Sequence, residues 1–567
     1  MADNLQRILK ADKPLTLSAA PAGFLPWLMA DIARAVGTKG RAVFVAADDA
    51  QMRGIAEAAR YFAPELAILT YPAWDCLPFD RASPSLRASA ERLATLHALQ
   101  KASNGPELLV TTVNAATQRT LTPFRIRQLV AKLAPGERID RDKLSALLQA
   151  NGYVRTDTVA DPGEYAVRGG LVDLWPSGEE TALRLDFFGD EIESVRRFDV
   201  ATQRTVDRID GFTLLPASEA LLDEESIKRF RGAYRERFGA TATGDPLYQT
   251  VSDGRRLAGM EHWLPLFEEK LSTLFDHLGD DDVIVRDPGT SGAAESRFEA
   301  ITDYHANRVR AQVADPGSYR PLPAAFLYLS AEQWAAAIDR RPMHLATPFR
   351  EPPSATVLDF EVDGPRDFAP ERTAQENVYD AVAAHIRTQQ RAGKKTILAS
   401  YSIGSRERLA GLLADHGLNG LAPVDTWQEA LGAAARKHGV ALAVLPLDHG
   451  FTAPDVLVLT EQDMLGDRLV RRQRRKKSTD AFLAELAALT PGDLVVHAEH
   501  GIGRYEGLTS IPVGQAPHDC VALTYAGGDK LFVPVEKIDV LSRYGSEEGV
   551  ALVKLGGVAW QSRKARM

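Results

Sequence analysis

Short apolar runs alternate with amphipathic stretches along most of the chain. Ala42–Ala47 (AVFVAA), Leu66–Tyr71 (LAILTY) and Glu107–Val113 (ELLVTTV) have the pattern of buried strands. Helical patterns over Asp49–Phe62 and Ser85–Lys101 lie between them. Strand and helix in alternation predict a parallel sheet with helices on its faces over residues 1–125.

The pattern then changes. After a helical linker over Arg125–Leu133, Tyr165–Trp175 and Leu183–Phe188 read as strands, with a turn at Pro176–Gly178. Residues 126–215 are therefore expected to be strand-rich. Residues 216–355 return to mixed α/β. Ile227–Phe238 is helical, Asp282–Arg286 (DVIVR) is a strand, and a long helix covers Ala293–Val313. Trp263, Phe267 and Phe275 recur at helix-compatible spacings in Leu257–Leu278, as core residues do. A proline-bearing stretch, Phe349–Ala355, marks the next boundary. Residues 356–460 predict a small α/β unit. It has a helix over Pro370–Ala392, strands at Thr396–Ser400, Leu442–Leu447 and Asp455–Thr460, and a helix over Ser405–His416.

Residues 491–545 read as a small all-β module. Leu494–His497, Arg504–Leu508, Cys520–Tyr525 and Lys530–Val533 are short strand-like runs between glycine-bearing turns. Val521, Leu523 and Tyr525 alternate with Ala522 and Thr524, as in a half-buried strand. So small a module leaves an edge open to a partner strand, or it caps a larger enzyme; pattern alone does not choose.

Composition narrows the class. A chain of 567 residues is too long for one core and should hold on the order of three to five domains. With 45% hydrophobic and 25% charged residues it has the composition of a soluble globular protein. A net charge of −9 argues against wholesale coating of nucleic acid. No segment approaches the ~18 consecutive apolar residues of a membrane span, and MADNLQRILKADKP at the N-terminus lacks the apolar run of a signal peptide, so none is expected. Cys76 and Cys520 lie far apart and fit a reducing compartment. A cytoplasmic monomer is expected.

The candidate chemistry is mostly subtractive. The loop after the first strand lies where a P-loop would sit, yet it carries Ser18, Ala19, Ala20, Pro21, Ala22, Gly23, Phe24 and Leu25. Without Lys and the following Ser/Thr, such a loop cannot supply phosphate charge or hold a metal ion, so nucleotide hydrolysis is not expected. His497 and His500 lack a third ligand, so no metal is expected. Arg168 and Arg184 sit among apolar strand residues. They are either ordinary strand arginines paired with Asp173, Asp186 or Glu191, or part of an Arg–aromatic interaction surface. The basic run Arg468, Arg471, Arg472, Arg474, Arg475, Lys476 and Lys477 reads as a linker in preference to a DNA contact, because no aromatic residue is interleaved for stacking. No catalytic constellation is found.

HAEHGIGRYEG, YAGGDKLFVPVEKIDVLSRY and KLGGVAW resemble the RNA-polymerase-interacting domain of bacterial transcription-repair coupling factors and the start of the connector to their motor. YAVRGGLVDLWP and LRLDFFGDEIESVRRFD are similar to the domain that this family shares with UvrB, through which both bind UvrA. LTYPAWDCLPFDRASPS, LLPASE and AGMEHWLPLFEEKLSTLFD fit its N-terminal module. The resemblance implies an α/β multidomain fold. It comprises a degenerate P-loop-type α/β domain (1–125) with an inserted UvrA-binding α+β domain (126–215), and a second UvrB-like α/β segment (216–355). A further small α/β domain (356–460), a basic linker (461–490), a small SH3/Tudor-like β-barrel (491–545) and the start of a connector helix (546–567) follow.

The resemblance also implies partners. Arg168, Arg184, Phe188 and Glu191 match the UvrA-contacting region. Arg504, Leu508, Ile511 and Val513 would meet the RNA polymerase β subunit by strand addition over Gly507–Val513. The loop of Ser18, Ala19, Ala20 and Gly23 would be a vestige. ATP, Mg and most DNA contact belong to motor domains that this family carries further on, so no cofactor is expected here; weak DNA contact would fall to the basic run at 468–477. With the family's masking C-terminal domain also absent, the UvrA surface is expected to be open. Two other functions compete: a DNA-dependent ATPase, opposed by the missing Gly-Lys-Ser/Thr, and a UvrB-like damage binder, opposed by the lack of a long aromatic insertion in Pro72–Pro84.

Overall fold

The apolar runs of the first segment become Thr16–Ser18 (β1), Ala42–Ala46 (β2), Ala67–Tyr71 (β3) and Glu107–Thr112 (β4) in the computed structural model. Two of the helices between them start where a side chain can satisfy a free backbone amide. Asp48 accepts from the Gln51 amide ahead of Asp49–Phe62, and Ser85 accepts from the Ala88 amide ahead of Leu86–Ala98. The structure describes residues 2–239, 244–314, 319–466, 494–497, 500–513, 516–534 and 541–545. It divides into two compact units, Met1–Arg472 and Gln473–Met567.

After β4 the chain leaves this sheet. Ala131–Leu133 (β5) goes out and Phe212–Leu214 (β12) comes back, paired antiparallel as a two-stranded neck. Between them lie the helix Arg141–Ala150 and Val154–Arg155 (β6), Glu164–Arg168 (β7), Leu171–Leu174 (β8), Ala182–Phe188 (β9), Glu191–Phe198 (β10) and Thr205–Ile209 (β11). These six strands form one sheet in the order β11-β10-β9-β8-β7-β6. One face packs Val172, Leu174, Leu183, Leu185 and Val195 against Leu144 and Leu148 of the helix.

The chain then returns to the first sheet with Val283–Arg286 (β13), Met343–Ala346 (β14) and Val357–Asp359 (β15), giving a seven-stranded parallel sheet in the order β15-β1-β14-β13-β2-β4-β3. Residues 1–125 and 216–355, expected as separate units, thus share one sheet. The α/β pattern on each side of the insertion is half of a single layer.

Lys395–Ser400 (β16), Leu421–Val424 (β17), Val440–Val444 (β18), Phe451–Thr452 (β19) and Val456–Thr460 (β20) make a second, five-stranded sheet, ordered β17-β18-β16-β20-β19. It is parallel except for β19. In the second unit, Leu494–His497 (β21), Gly501–Val513 (β22), Ala516–Thr524 (β23), Lys530–Pro534 (β24) and Leu541–Gly545 (β25) form an antiparallel sheet, ordered β24-β23-β22-β21-β25. Val495, Tyr505, Val521, Leu523, Tyr525 and Val533 are its core.

Several expectations are corrected. The linker Arg125–Leu133 is a short helix, Pro123–Gln128, followed by β5, because the neck pairing claims Ala131–Leu133. Tyr165–Trp175 is a hairpin of β7 and β8 that turns at Gly169, whose φ is +59°. The helix expected over Pro370–Ala392 is two, Ala369–Thr373 and Val378–Arg391; Gln375 takes φ +57° and Asn377 caps the second. Trp263, Phe267 and Phe275 are buried as expected, but on one-turn segments instead of one helix. Pro265 lies in this stretch, and Ser272 pairs with Thr120 across the core. β22 is longer than the predicted Arg504–Leu508.

Candidate functional site

The backbone amides after the first strand are bonded to protein. In a working P-loop the backbone amides after the first strand point at phosphate. Here Ala19 N–H donates to the Phe349 carbonyl at 3.0 Å, and Ala20 N–H to the Thr347 carbonyl at 2.8 Å. The amides of Phe24 and Leu25 bond back to Pro21 and Ala22. Ser18 Oγ donates to the Phe349 carbonyl and accepts from the Glu351 amide. The helix Leu25–Val36 that follows has Phe24 at its N-cap and no side-chain cap.

The six-stranded sheet keeps a polar second face. Strand register sets Asp173, Arg184 and Arg196 side by side on β8, β9 and β10. Arg184 donates through Nε at 2.7 Å and through NH2 at 2.8 Å to the two oxygens of Asp173. That carboxylate is almost fully buried, with a side chain 3% exposed. The bond to Asp173 holds the Arg184 guanidinium above its ordinary pKa. The guanidinium also lies 4.8 Å from the Phe198 ring centroid. Arg168 reaches the same carboxylate from β7 at 3.4 Å, and Ser194 donates to Asp186 at 2.6 Å.

Alternation along β9 puts Phe188 on this face, two positions beyond Asp186. Phe188 is 81% exposed, the highest value among the large apolar side chains described. It stands opposite Glu191, which pairs with Arg138 at 3.3 Å. The structure therefore brings Arg168, Arg184, Phe188 and Glu191 onto one hairpin-centred region. It gives them different states: Arg184 is committed within the sheet, Arg168 is half-exposed, and Phe188 is exposed. Asp173 is the organising residue. The sequence offered it only as a pairing partner, because a buried carboxylate looks like any other until register is known.

The β module offers a backbone edge. β22 pairs with β21 through Gly501–Arg504 and with β23 through Arg504–Val513, with a register shift between Tyr505 and Gly507. Among the described residues no strand lies beside the other edge of Tyr505–Val513. Arg504 is exposed. Leu508, Ile511 and Val513 lie opposite Val521, His518 and Ala516 on this stretch; their side chains are outside the described residues. His497 and His500 have ring centroids 4.5 Å apart, and the His500 amide donates to His497 Nδ1. Among the described residues no three His, Cys, Asp or Glu side chains gather as a metal site. No described helix is long and apolar enough to cross a membrane. The basic run at 468–477 and the segment 546–567 lie outside the described residues.

Comparison with known proteins assigns these units. Residues 131–219 match the UvrB interaction domain family, 389–464 the MFD D3 domain family and 489–545 the CarD-like/TRCF RID domain family. The transcription-repair-coupling factor of Escherichia coli (strain K12) is 34% identical over 502 residues, covering 87% of this chain and 42% of that protein. That of Myxococcus xanthus is 32% identical over 525 residues, covering 88% and 43%. That of Rickettsia bellii is 28% identical over 527 residues, covering 93% and 45%. The chain spans less than half the length of these curated relatives. Three domain matches in order along the sequence and relatives aligned over most of its length support reading the chain as an N-terminal portion of a transcription-repair-coupling factor.

Proposed function

We propose that this chain is a two-partner adaptor that couples transcription to nucleotide excision repair: the inserted sheet recruits UvrA, and the β module engages the β subunit of RNA polymerase stalled at a lesion. The observation that carries the proposal is the exposed Phe188 beside the Asp173-anchored arginines. A large aromatic side chain rimmed by charged groups is the composition of a binding hot spot. Arg184 acts there by shaping the face, and Arg168, Phe188 and Glu191 by contact.

For the polymerase, the free edge of Tyr505–Val513 supports strand addition, in which backbone groups give affinity and alternate side chains give specificity. Arg504, Leu508, Ile511 and Val513 are the residues assigned to that contact. A strand that pairs with β21 at one end and β23 at the other, with a register shift between, is how a bent strand serves both halves of an SH3/Tudor-like barrel; we assign that fold to the module.

We further propose that Thr16–Val36 is a vestigial nucleotide-binding strand–loop–helix that binds no ATP or Mg. Its amides are bonded to protein carbonyls, and it has no lysine to replace them. The two unpaired cysteines fit the cytoplasm.

Co-precipitation tests the adaptor reading. Phe188→Ala should lose UvrA and keep polymerase, and Ile511→Arg should do the reverse. Loss of neither partner in both variants would refute it. Arg184→Glu is a poor probe, because it would set a second carboxylate against buried Asp173.

A further inference from the structure

The sealed loop has a second occupant, supplied by the five-stranded sheet. Gly23 lies so close to the turn before β19 that a Cβ built on it would stand 2.0 Å from the His449 carbonyl oxygen and 2.8 Å from that of Gly450. No side chain fits there. Phe451, the next residue, is fully buried, with its ring centroid 5.5 Å from Phe24 and 5.7 Å from Trp27. Trp427, which opens the helix Trp427–Ala434 between β17 and β18, packs on Trp27 at 5.2 Å and on Phe62 at 4.7 Å. One continuous core thus holds residues of both sheets.

The turn that enters this seat is itself held rigid. Asp463, buried at the start of the helix Glu461–Leu465, accepts from the Gly450 amide at 2.8 Å and from the Thr460 amide at 2.9 Å through one oxygen; its other oxygen bonds His449 Nδ1 at 3.0 Å. Thr460 Oγ1 donates to the Asp448 carbonyl at 2.9 Å. On the far side, Asp363 and Thr452 exchange two backbone hydrogen bonds. Asp463 and Thr460 thus hold the turn from the five-stranded sheet, while the His449 and Gly450 carbonyl oxygens lie against Gly23 and the Phe451 ring against Phe24 and Trp27.

We infer that the turn Asp448–Phe451 is a plug seated in the loop Ser18–Leu25, and that through this joint the seven-stranded and five-stranded sheets open and close as one body. The vestigial cradle has become a docking seat for a second domain of its own chain. Asp463 also caps the helix Glu461–Leu465, the last element described before residue 467. The joint therefore fixes the platform that carries the inserted sheet relative to the point where the chain departs toward the β module.

Hydrogen exchange on the full chain tests this. In the parent protein, amides in 24–30 and 450–460 should exchange by one shared opening. Gly23→Val should unseat the plug. Exchange at Gly450–Thr452 and at Leu25–Leu28 should then rise together, by about tenfold or more, with the insert β6–β11 unchanged. Gly54→Ala, where an added Cβ meets nothing within 4 Å, should leave exchange as in the parent. Phe451→Ala, which removes the ring without a backbone clash, should raise the same two segments and decides the matter if Gly23→Val does not fold. Unchanged exchange at Leu25–Leu28 in Phe451→Ala, or independent opening of the two segments in the parent, would overturn the inference.

Discussion

Arg184 and Asp173 form a two-point ion pair on the polar face of the inserted sheet, with Nε and NH2 each on a separate carboxylate oxygen at 2.7 and 2.8 Å. Such a pair fixes geometry more than it adds stability, because desolvation offsets much of the attraction. Removing one partner is different. Asp173→Ala should lower the stability of the insert by roughly 2–3 kcal/mol, below the full cost of breaking a buried pair because Arg184 keeps partial contact with water. Urea unfolding reads this directly. Phe188→Ala should stay within about 0.5 kcal/mol of the parent, as exposed positions do. A destabilised Phe188→Ala chain would mean that Phe188 packs within the protein and does not await a partner.

A second buried carboxylate ties the insertion to its host sheet. Glu219 lies just past β12, and its oxygens accept from Trp74 Nε1 at 2.9 Å, Arg92 Nε at 2.6 Å and Thr120 Oγ1 at 2.9 Å. Arg92 also donates to the Pro72 carbonyl and is fully buried. Glu219→Ala would strand that guanidinium without a counter-charge. We expect a loss of about 3–5 kcal/mol, shown as a lower unfolding midpoint. Replacing Arg92 and Glu219 together by apolar residues should recover part of it.

Acid should weaken the first sheet. His344 on β14 is buried, and its Nδ1 accepts from the Leu15 amide at 3.1 Å, so the folded ring is neutral. Burial pushes its pKa down to about 4. The unfolded ring takes up a proton below its ordinary value of ~6.5, while the folded ring does not until about pH 4. The stability it contributes is therefore whole above that ordinary value and falls away as pH drops toward 4. Between pH 7 and pH 5 the loss should be about 2 kcal/mol. Buried His262, also pushed down to about 4, adds in the same direction. His344→Asn retains an acceptor for Leu15 and should flatten the pH dependence of unfolding. An unchanged slope would mean that this ring does not titrate across the transition.

Much of this was legible in the sequence where a pattern is local. Asp49–Phe62 was bounded correctly because Asp48 and the apolar periodicity agree, and Leu494–His497 because its run is short and flanked by turns. The missing lysine in Ser18–Leu25 could be read at once. What could not be read is set by contacts distant in sequence. β5 is a strand because Phe212–Leu214 returns to pair with it. Two α/β segments became one sheet because β13 and β14 insert between β1 and β2. The roles of Asp173, His449 and Phe451 follow from register and packing across tens to hundreds of residues. Phe24, where a phosphate loop would favour a small residue, was the one local sign that something apolar covers that loop.

The central claim is that one chain holds two partners at once, and mass measurement of the mixed assembly tests it most directly. The chain, UvrA and RNA polymerase combined in solution should give a ternary species. Phe188→Ala should reduce it to the polymerase complex, and Ile511→Arg to the UvrA complex. Exclusive binding of one partner at a time, or a ternary species that survives both substitutions together, would contradict the account.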